Sequence, residues 1–266
     1  MNKDLLTHSG GPRGSDGLDG LLDSALRDSP GRPLITYYDD ATGEQVDVSA
    51  GVLRGWATRT ADLLVNGCGL GPGCRAAIGL PPHWQTAAVV FGTWSAGMTV
   101  DFRLAATAGL ARTGTGADLS IDAVFMSVDR INDIIEEVPD APARFALGLG
   151  PTAAPLDEVP AGFRDYVAEI LRHGTAFQRY APPLGSDPVT LDGTTYREFG
   201  SVAAVMAERW GIGPGDRVLI DAGASEHPLL WLLPPMAVGA TVVLCANLDP
   251  GTVEAKARAE AVTLVL

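Results

Sequence analysis

A motif that occurs twice constrains this chain more than any other feature. Gly69-Leu70-Gly71-Pro72-Gly73-Cys74-Arg75-Ala76-Ala77-Ile78 returns, 142 positions on, as Gly211-Ile212-Gly213-Pro214-Gly215-Asp216-Arg217-Val218-Leu219-Ile220. The same displacement, with no gap, carries Ala96-Gly97-Met98-Thr99-Val100 onto Val238-Gly239-Ala240-Thr241-Val242. Of the 32 positions from Gly69 to Val100, nine are identical in both copies: Gly69, Gly71, Pro72, Gly73, Arg75, Ile78, Gly97, Thr99 and Val100. Periods of about 20–50 residues mark solenoids and propellers. A displacement this long means two copies of a domain-sized unit. In each copy glycine permits the turn that leaves a helix, proline stops the helix from continuing, and Arg75 or Arg217 opens a strand.

The pattern around the motif alternates between strand and helix. Leu34 to Tyr38 reads as a strand, Asp39–Glu44 as its turn and Gln45–Val48 as the return strand of a hairpin. Ser49 is a candidate N-cap for a helix through Leu53, Trp56, Ala57, Thr60, Ala61 and Leu64, closed by Gly67 and Gly69. Arg75–Leu80 is a short apolar run of the kind a buried parallel strand shows. A helix from Trp84 to Ala96 and a strand from Met98 to Phe102 complete a βαβ unit. Strands at Ala123–Val128 and Arg144–Leu149, with a helix near Arg130–Glu137, continue the alternation, and a helix spans Gly162–Arg172. In the second copy the predicted order is helix Thr195–Arg209, strand Arg217–Asp221, crossover Leu229–Val238, strand Thr241–Cys245, helix Gly251–Glu260 and strand Val262–Leu266. The expected class is therefore α/β, with two pseudo-repeated subdomains of mainly parallel sheet flanked by helices. The organisation reads as a disordered N-terminus (1–17), a first α/β subdomain (18–150), a linker and helix (151–190), and a second, partial subdomain (191–266).

Charge narrows the partners. The 266 residues carry a formal net charge of −13. No basic stripe is present, which argues against nucleic acid, since phosphate binding needs clustered Lys and Arg. No run of 18 apolar residues could span a bilayer, and the N-terminus lacks the apolar core of a secretory signal. Three cysteines, Cys68, Cys74 and Cys245, have no metal-ligand spacing and suit a reducing cytoplasm. The four histidines lie far apart, with no HxxxH or CxxC pairing to suggest metal.

Several of these segments resemble a known family. Ser49-x-x-x-Leu53, the Gly69–Arg75 motif, Leu80-Pro81-Pro82 and Trp94-x-Ala96-Gly97 resemble the first subdomain of the adenylate-forming superfamily. That group contains acyl-CoA synthetases, nonribosomal-peptide adenylation domains and luciferases. Gly213–Leu219, Leu232–Leu244 and Asp249–Thr263 are similar to its second subdomain. The resemblance covers residues 30–105 and 190–266, and matches weakly between. The whole chain resembles a short actinobacterial family built from only the N-terminal part of the AMP-binding domain. In the superfamily the two subdomains are themselves related, which would account for the repeat.

The departures from the family pattern shape the functional expectation. Full-length members grip ATP phosphates with a Ser/Thr/Gly-rich loop ending in Pro-Lys, because backbone N–H groups and a cation offset the polyphosphate charge. The nearest candidate for binding a nucleotide cofactor here is Gly193-Thr194-Thr195, but Tyr196, Glu198 and Phe199 stand where Gly, Pro and Lys would follow. Thr195–Phe199 reads better as a helix start equivalent to Ser49–Leu53. The Tyr-Gly-x-Thr-Glu and Thr-Gly-Asp stretches of the family, and its C-terminal domain with the adenylating lysine, have no counterpart in these residues. The resemblance thus implies a truncated relative that does not activate carboxylates on its own. It would act in the cytoplasm as a binding or regulatory module for an acyl, aryl or nucleotide ligand, or for a protein partner or second subunit. The alternative is an enzyme fragment that completes an AMP-forming, carboxylate-activating site with another chain; an exposed apolar strand edge near Val262–Leu266 would favour it.

Two further clusters are candidates on position alone. His83-Trp84 falls at a strand-to-helix turn, outside the carboxyl end of a strand, where α/β sheets bind ligands; the plainer alternative is that Trp84 starts the helix and His83 bonds to nearby backbone. Ser225-Glu226-His227 occupies the equivalent turn of the second copy, but adjacent residues cannot converge as a catalytic triad. Thr113-Gly114-Thr115-Gly116 and the acidic Asp133, Glu136, Glu137 and Asp140 read as a turn and a solvated helix face. No catalytic or metal-ligating residue is assigned.

Overall fold

The computed structural model describes residues 19–28, 31–102, 120–133, 138–150, 152–177 and 183–266. The N-terminal seventeen residues, Thr113–Gly116 and Glu136–Glu137 lie outside the described residues. The chain runs α1 (Asp19–Asp28), β1 (Pro33–Asp39), β2 (Glu44–Ser49), α2 (Ala50–Asp62), β3 (Arg75–Gly79), α3 (Trp84–Ser95), β4 (Thr99–Asp101), β5 (Ala123–Ser127), α4 (Val128–Ile131), β6 (Ala143–Leu147), β7 (Arg164–Asp165) and α5 (Tyr166–Ile170). The second copy follows as α6 (Tyr196–Arg209), β8 (Arg217–Asp221), α7 (Pro228–Trp231), α8 (Leu233–Ala237), β9 (Thr241–Ala246), α9 (Val253–Ala259) and β10 (Leu264–Val265).

The repeated motif has one geometry in both copies. Gly69 and Gly211 have φ of 70° and 72°, Gly73 and Gly215 of 89° and 83°, and Gly97 and Gly239 of 78° in each case. These left-handed values explain why glycine recurs at all three pairs. The turn hydrogen bonds recur with them: Cys74 N–H donates to Gly71 O at 2.9 Å, and Asp216 N–H to Gly213 O at 3.2 Å. Thr99 and Thr241 N–H donate to Cys74 and Asp216 O in the same way.

Among the described residues the strands form two five-stranded sheets, ordered β4-β3-β5-β6-β7 and β10-β8-β9-β1-β2. Every pairing is parallel except the hairpin β1–β2. That hairpin precedes the first copy in sequence but joins the sheet of the second, with Ile35 opposite Val242 and Asp39 opposite Ala246. Residues 18–150 therefore contribute strands to both sheets. Arg217 helps hold the hairpin there: its guanidinium donates to Thr36 Oγ1 at 2.7 Å and pairs with Glu260, which accepts from Tyr38 Oη at 2.6 Å.

One face of each sheet enters a shared core. Ala76, Ile78, Ile35, Val218, Ile220, Val242 and Leu244 belong to one buried cluster with α2, α3 and α6, whereas Ala77 and Val124 belong to a second cluster and Leu219 and Val243 to a third. The period-two alternation of the strands produces this division. All of Trp84–Trp94 is buried, so α3 is enclosed on every side. Trp94 links the halves: its indole N–H donates to Val189 O at 3.2 Å, its carbonyl accepts from Tyr196 Oη at 2.8 Å, and its ring meets Phe102 and Phe199 edge-on.

Several predicted elements are shorter than expected. The crossover over Leu229–Val238 is two short helices that meet at Leu232, because Pro234 and Pro235 cannot donate backbone hydrogen bonds. The helix expected over Gly162–Arg172 is reduced to α5, after a two-residue strand at Arg164–Asp165. The helix that Ser49 caps ends as a π-helical turn over Leu63–Gly67.

Candidate functional site

The Gly193–Thr195 turn, the nearest candidate for a nucleotide site, has its donors committed internally. Gly193 N–H donates to Thr190 O at 3.1 Å, and Thr194 N–H donates to the Asp192 carboxylate at 3.1 Å. Thr195 N–H donates to Glu198 Oε2 at 2.9 Å. Three successive N–H groups are thus occupied, two of them by carboxylates. Thr195 is the N-cap of α6, and with Glu198 it forms a reciprocal capping box. Those bonds hold the Glu198 carboxyl below its usual range. Ser49 caps α2 through the same position three residues on, donated to by Val52 N–H at 3.2 Å. An anion placed on Gly193–Thr195 would have to displace two negative charges from the donors it needs.

His83 and Trp84 occupy a different place, where the end of β3 meets the hairpin of the other sheet. His83 is the N-cap of α3, and its Nδ1 accepts from Gln85 N–H at 3.1 Å. Its ring lies edge-on to Tyr37 of β1, centroids 4.4 Å apart, and 5.7 Å from Trp84. Trp84 in turn meets Trp56 of α2 edge-on at 5.0 Å. His83 is 1% exposed and Trp84 4%. Burial pushes the imidazole down to about 3, against the opposing pull of Asp39, so the ring is neutral at physiological pH. Burial, reinforced by Asp39 and Glu44, drives the Tyr37 hydroxyl far above its ordinary value.

The two predicted clusters do not share neighbours in these contacts. Gly193–Thr195 is hydrogen-bonded within residues 189–199, and His83–Trp84 contacts Tyr37, Trp56 and Gln85. His227 is the closer neighbour of the turn. It caps α7 by accepting from Leu229 N–H at 3.3 Å, and its ring packs against Phe102 and Phe199. Burial lowers its pKa, with Asp192 opposing. Each copy thus has a histidine N-cap after its first strand, facing an aromatic residue of the other half.

Reading the sequence alone missed Tyr37, Trp56 and Gln85 as neighbours of His83. Gln85 adjoins His83 and Trp84 in sequence, but nothing local reports that Tyr37 or Trp56 approaches them. Among the described residues no group of three or more His, Cys, Asp or Glu could hold a metal ion, and no helix is long and apolar enough to cross a membrane.

Comparison with known proteins identifies the family. The chain is 36% identical over 251 residues to a TIGR03089 family protein of Mycobacterium tuberculosis, an alignment that covers 92% of this chain and 96% of the relative. The chain belongs to the TIGR03089 family. No protein-family model matches it. Among solved structures, an acyl-CoA synthetase of Brucella canis superimposes with a TM-score of 0.70 at 18% identity, covering 94% of this chain and 47% of that one. Acetoacetyl-CoA synthetase from Streptomyces lividans gives a TM-score of 0.68 at 18% identity, with 94% and 42% covered. This TIGR03089 family member therefore has the fold of the N-terminal part of adenylate-forming enzymes, and spans about half the length of these two synthetases.

Proposed function

We propose that the chain is a cytoplasmic ligand-binding or regulatory module of the adenylate-forming fold, one that holds an acyl or aryl group without gripping ATP phosphates itself. The observation that carries this reading is the state of the Gly193–Thr195 turn, where Asp192 and Glu198 occupy the N–H groups a phosphate would require. The helix-start bonds that use those donors stabilise α6, so the turn serves the fold. The aromatic surroundings of His83 and of His227 are where an acyl or aryl group finds apolar contact.

A thermal-shift titration tests the reading with ATP and Mg²⁺, AMP, CoA and a panel of carboxylic acids. A ligand present at a thousand times its Kd adds about 4 kcal/mol, which in a chain of this size raises Tm by roughly 8 °C. The expected result is a shift with acyl or aryl compounds and none with ATP. A shift with ATP that survives without any acid would overturn it.

A second reading is favoured by β10. That strand lies at the outer edge of its sheet, and Val265 and Leu266 are 50% and 43% exposed. An edge of this kind is a template for another strand, as a site completed by a partner chain would need. Its mark is acid-dependent release of pyrophosphate from ATP that appears only when the partner chain is added.

A further inference from the structure

Around Arg75 and Arg217 the two copies of the repeat match bond for bond. Arg75 N–H donates to Asp122 Oδ2 at 2.8 Å, and Arg217 N–H to Thr263 Oγ1 at 3.0 Å. Asp122 and Thr263 return their own N–H groups to Arg75 O and Arg217 O, each at 2.9 Å. The strand registers agree. Ala123 and Val124 of β5 lie opposite Ala76 and Ala77 of β3, and Leu264 and Val265 of β10 lie opposite Val218 and Leu219 of β8. Leu264, Val265 and Leu266 are therefore the counterparts of Ala123, Val124 and Phe125.

These counterparts differ in what lies beside them. On its far side β5 is covered by β6, parallel and in register from Ala123 opposite Ala143 to Ser127 opposite Leu147. Ala123, Val124 and Phe125 are all 0% exposed, and Phe125 stacks on Phe145 of β6 with ring centroids 5.0 Å apart. Among the described residues no strand pairs with the far side of β10. Leu264 packs partly buried against the shared core, while Val265 and Leu266 stand open. The other sheet edges are guarded: β2 carries Glu44, Gln45 and Asp47, β7 consists of Arg164 and Asp165, and β4 is bridged through Val100 to Thr190. Charges and covering segments are how sheets refuse stray strands, and β10 has neither.

We propose that β10 is a docking edge for a strand of a separate partner chain, which runs parallel to β10 in the place β6 takes beside β5 and sets an apolar residue against Leu266, as Phe145 sits against Phe125. The proposal deepens the second reading above and rests on it for the existence of a partner. Main-chain hydrogen bonds would supply affinity in such an addition, and the residue beside Leu266 would supply selectivity. A second copy of this chain is the poorer occupant. A two-fold axis beside β10 would pair it with itself antiparallel, against the direction of β6, and the edges at β2 and β7 are charged.

A synthetic peptide of the β6 sequence, Ala141–Leu147, is the probe, titrated into the isotopically labelled full chain and followed by amide chemical shifts. Three paired residues give a Kd on the order of 1 mM. Shifts are expected at Thr263–Leu266 and along β8, and a nitroxide on the N-terminus of the peptide should broaden Thr263 more than Leu266. Phe145→Asp in the peptide should weaken binding at least about tenfold. Val265→Lys in the protein should weaken it roughly fivefold, the worth of one cross-strand pair, with Val205→Lys on the exposed face of α6 as the unaffected control. Both valines are exposed, so both variants should melt with the wild type. Absence of binding, an antiparallel broadening pattern, or equal binding to the wild type and Val265→Lys overturns the docking edge. So does a wild-type dimer in light scattering that Val265→Lys dissociates, because a second copy would then hold the edge. The second reading itself is decided separately, by partner-dependent release of pyrophosphate.

Discussion

Replacing Gly92 with alanine should destabilise the protein, although alanine is the better helix former. Gly92 lies in α3 where that helix crosses α2. A Cβ built on it would stand 2.4 Å from Thr60 Cβ, 2.7 Å from Thr60 Cγ2 and 2.8 Å from Ala57 O. Carbon atoms pack at about 3.5–4.0 Å, so the two helices would have to separate by about 1 Å. Neither can do so freely: α3 is enclosed throughout Trp84–Trp94, and Thr60 is fixed by donating to Trp56 O and by a 2.6 Å bond with the buried Tyr166 hydroxyl. Overpacking costs about 1–3 kcal/mol and sometimes more, and a clash with backbone belongs at the upper end. Against this stands a gain of about 1 kcal/mol in helix propensity. The net loss is about 2 kcal/mol. With an unfolding entropy of about 2.1 cal/mol/K per residue over 266 residues, Tm should fall by roughly 4 °C in a reversible calorimetric melt. Gly200→Ala is the matched control, since a Cβ there meets nothing within 4 Å inside α6; it should raise Tm by up to about 2 °C. If Gly92→Ala also raised Tm, the close approach of α2 and α3 would be wrong.

Three further outcomes follow from the contacts. His83 has a folded pKa near 3 against 6.5 for the free side chain, so the unfolded chain binds the extra proton between those values, and stability is complete above pH 6.5 and lost as pH falls. At about 1.4 kcal/mol per unit, the wild type should lose about 2 kcal/mol more than His83→Asn between pH 7 and pH 5 in urea unfolding; equal losses would show that the ring is not buried and neutral. Lys256 is 8% exposed and reaches both Asp40 oxygens at 2.6 and 2.7 Å, so Lys256→Met should cost about 2–3 kcal/mol by stranding the carboxylate. Asp40→Asn together with Lys256→Met should then cost less than the sum of the single changes, as a double-mutant cycle would read. Thr195→Ala should cost about 1 kcal/mol through loss of the α6 cap, Thr195→Ser much less, and neither should create affinity for inorganic triphosphate in a calorimetric titration.

The candidate sites were legible to different degrees. The helix start at Thr195 follows from the Thr-x-x-Glu spacing of Thr195 and Glu198, a local signal, because both partners lie within one turn of chain. The strand-end position of His83 and Trp84 was likewise readable from the apolar run before them. Their state was not. Their burial depends on what packs at the head of α3, where Tyr37 meets His83, Trp56 meets Trp84 and the Gly150 carbonyl accepts from Gln85, three segments distant in sequence. The break at Leu232 was written in Pro234 and Pro235, whereas the bend of the chain into β7 before α5 depends on pairing with β6.

By itself the sequence determined the two-copy α/β plan. Glycines needed at left-handed φ, strand runs and caps all act over a few residues, and each repeats wherever its local geometry repeats. The tertiary structure alone decided that the β1–β2 hairpin, which precedes the first copy, pairs with β9 of the second, some two hundred residues on. Parallel pairing leaves no mark in either strand alone, since any apolar strand of suitable length offers the same backbone groups. Only the shared core, and the contact of Arg217 and Glu260 with Thr36 and Tyr38, selects the partner, and with it brings Tyr37 against His83.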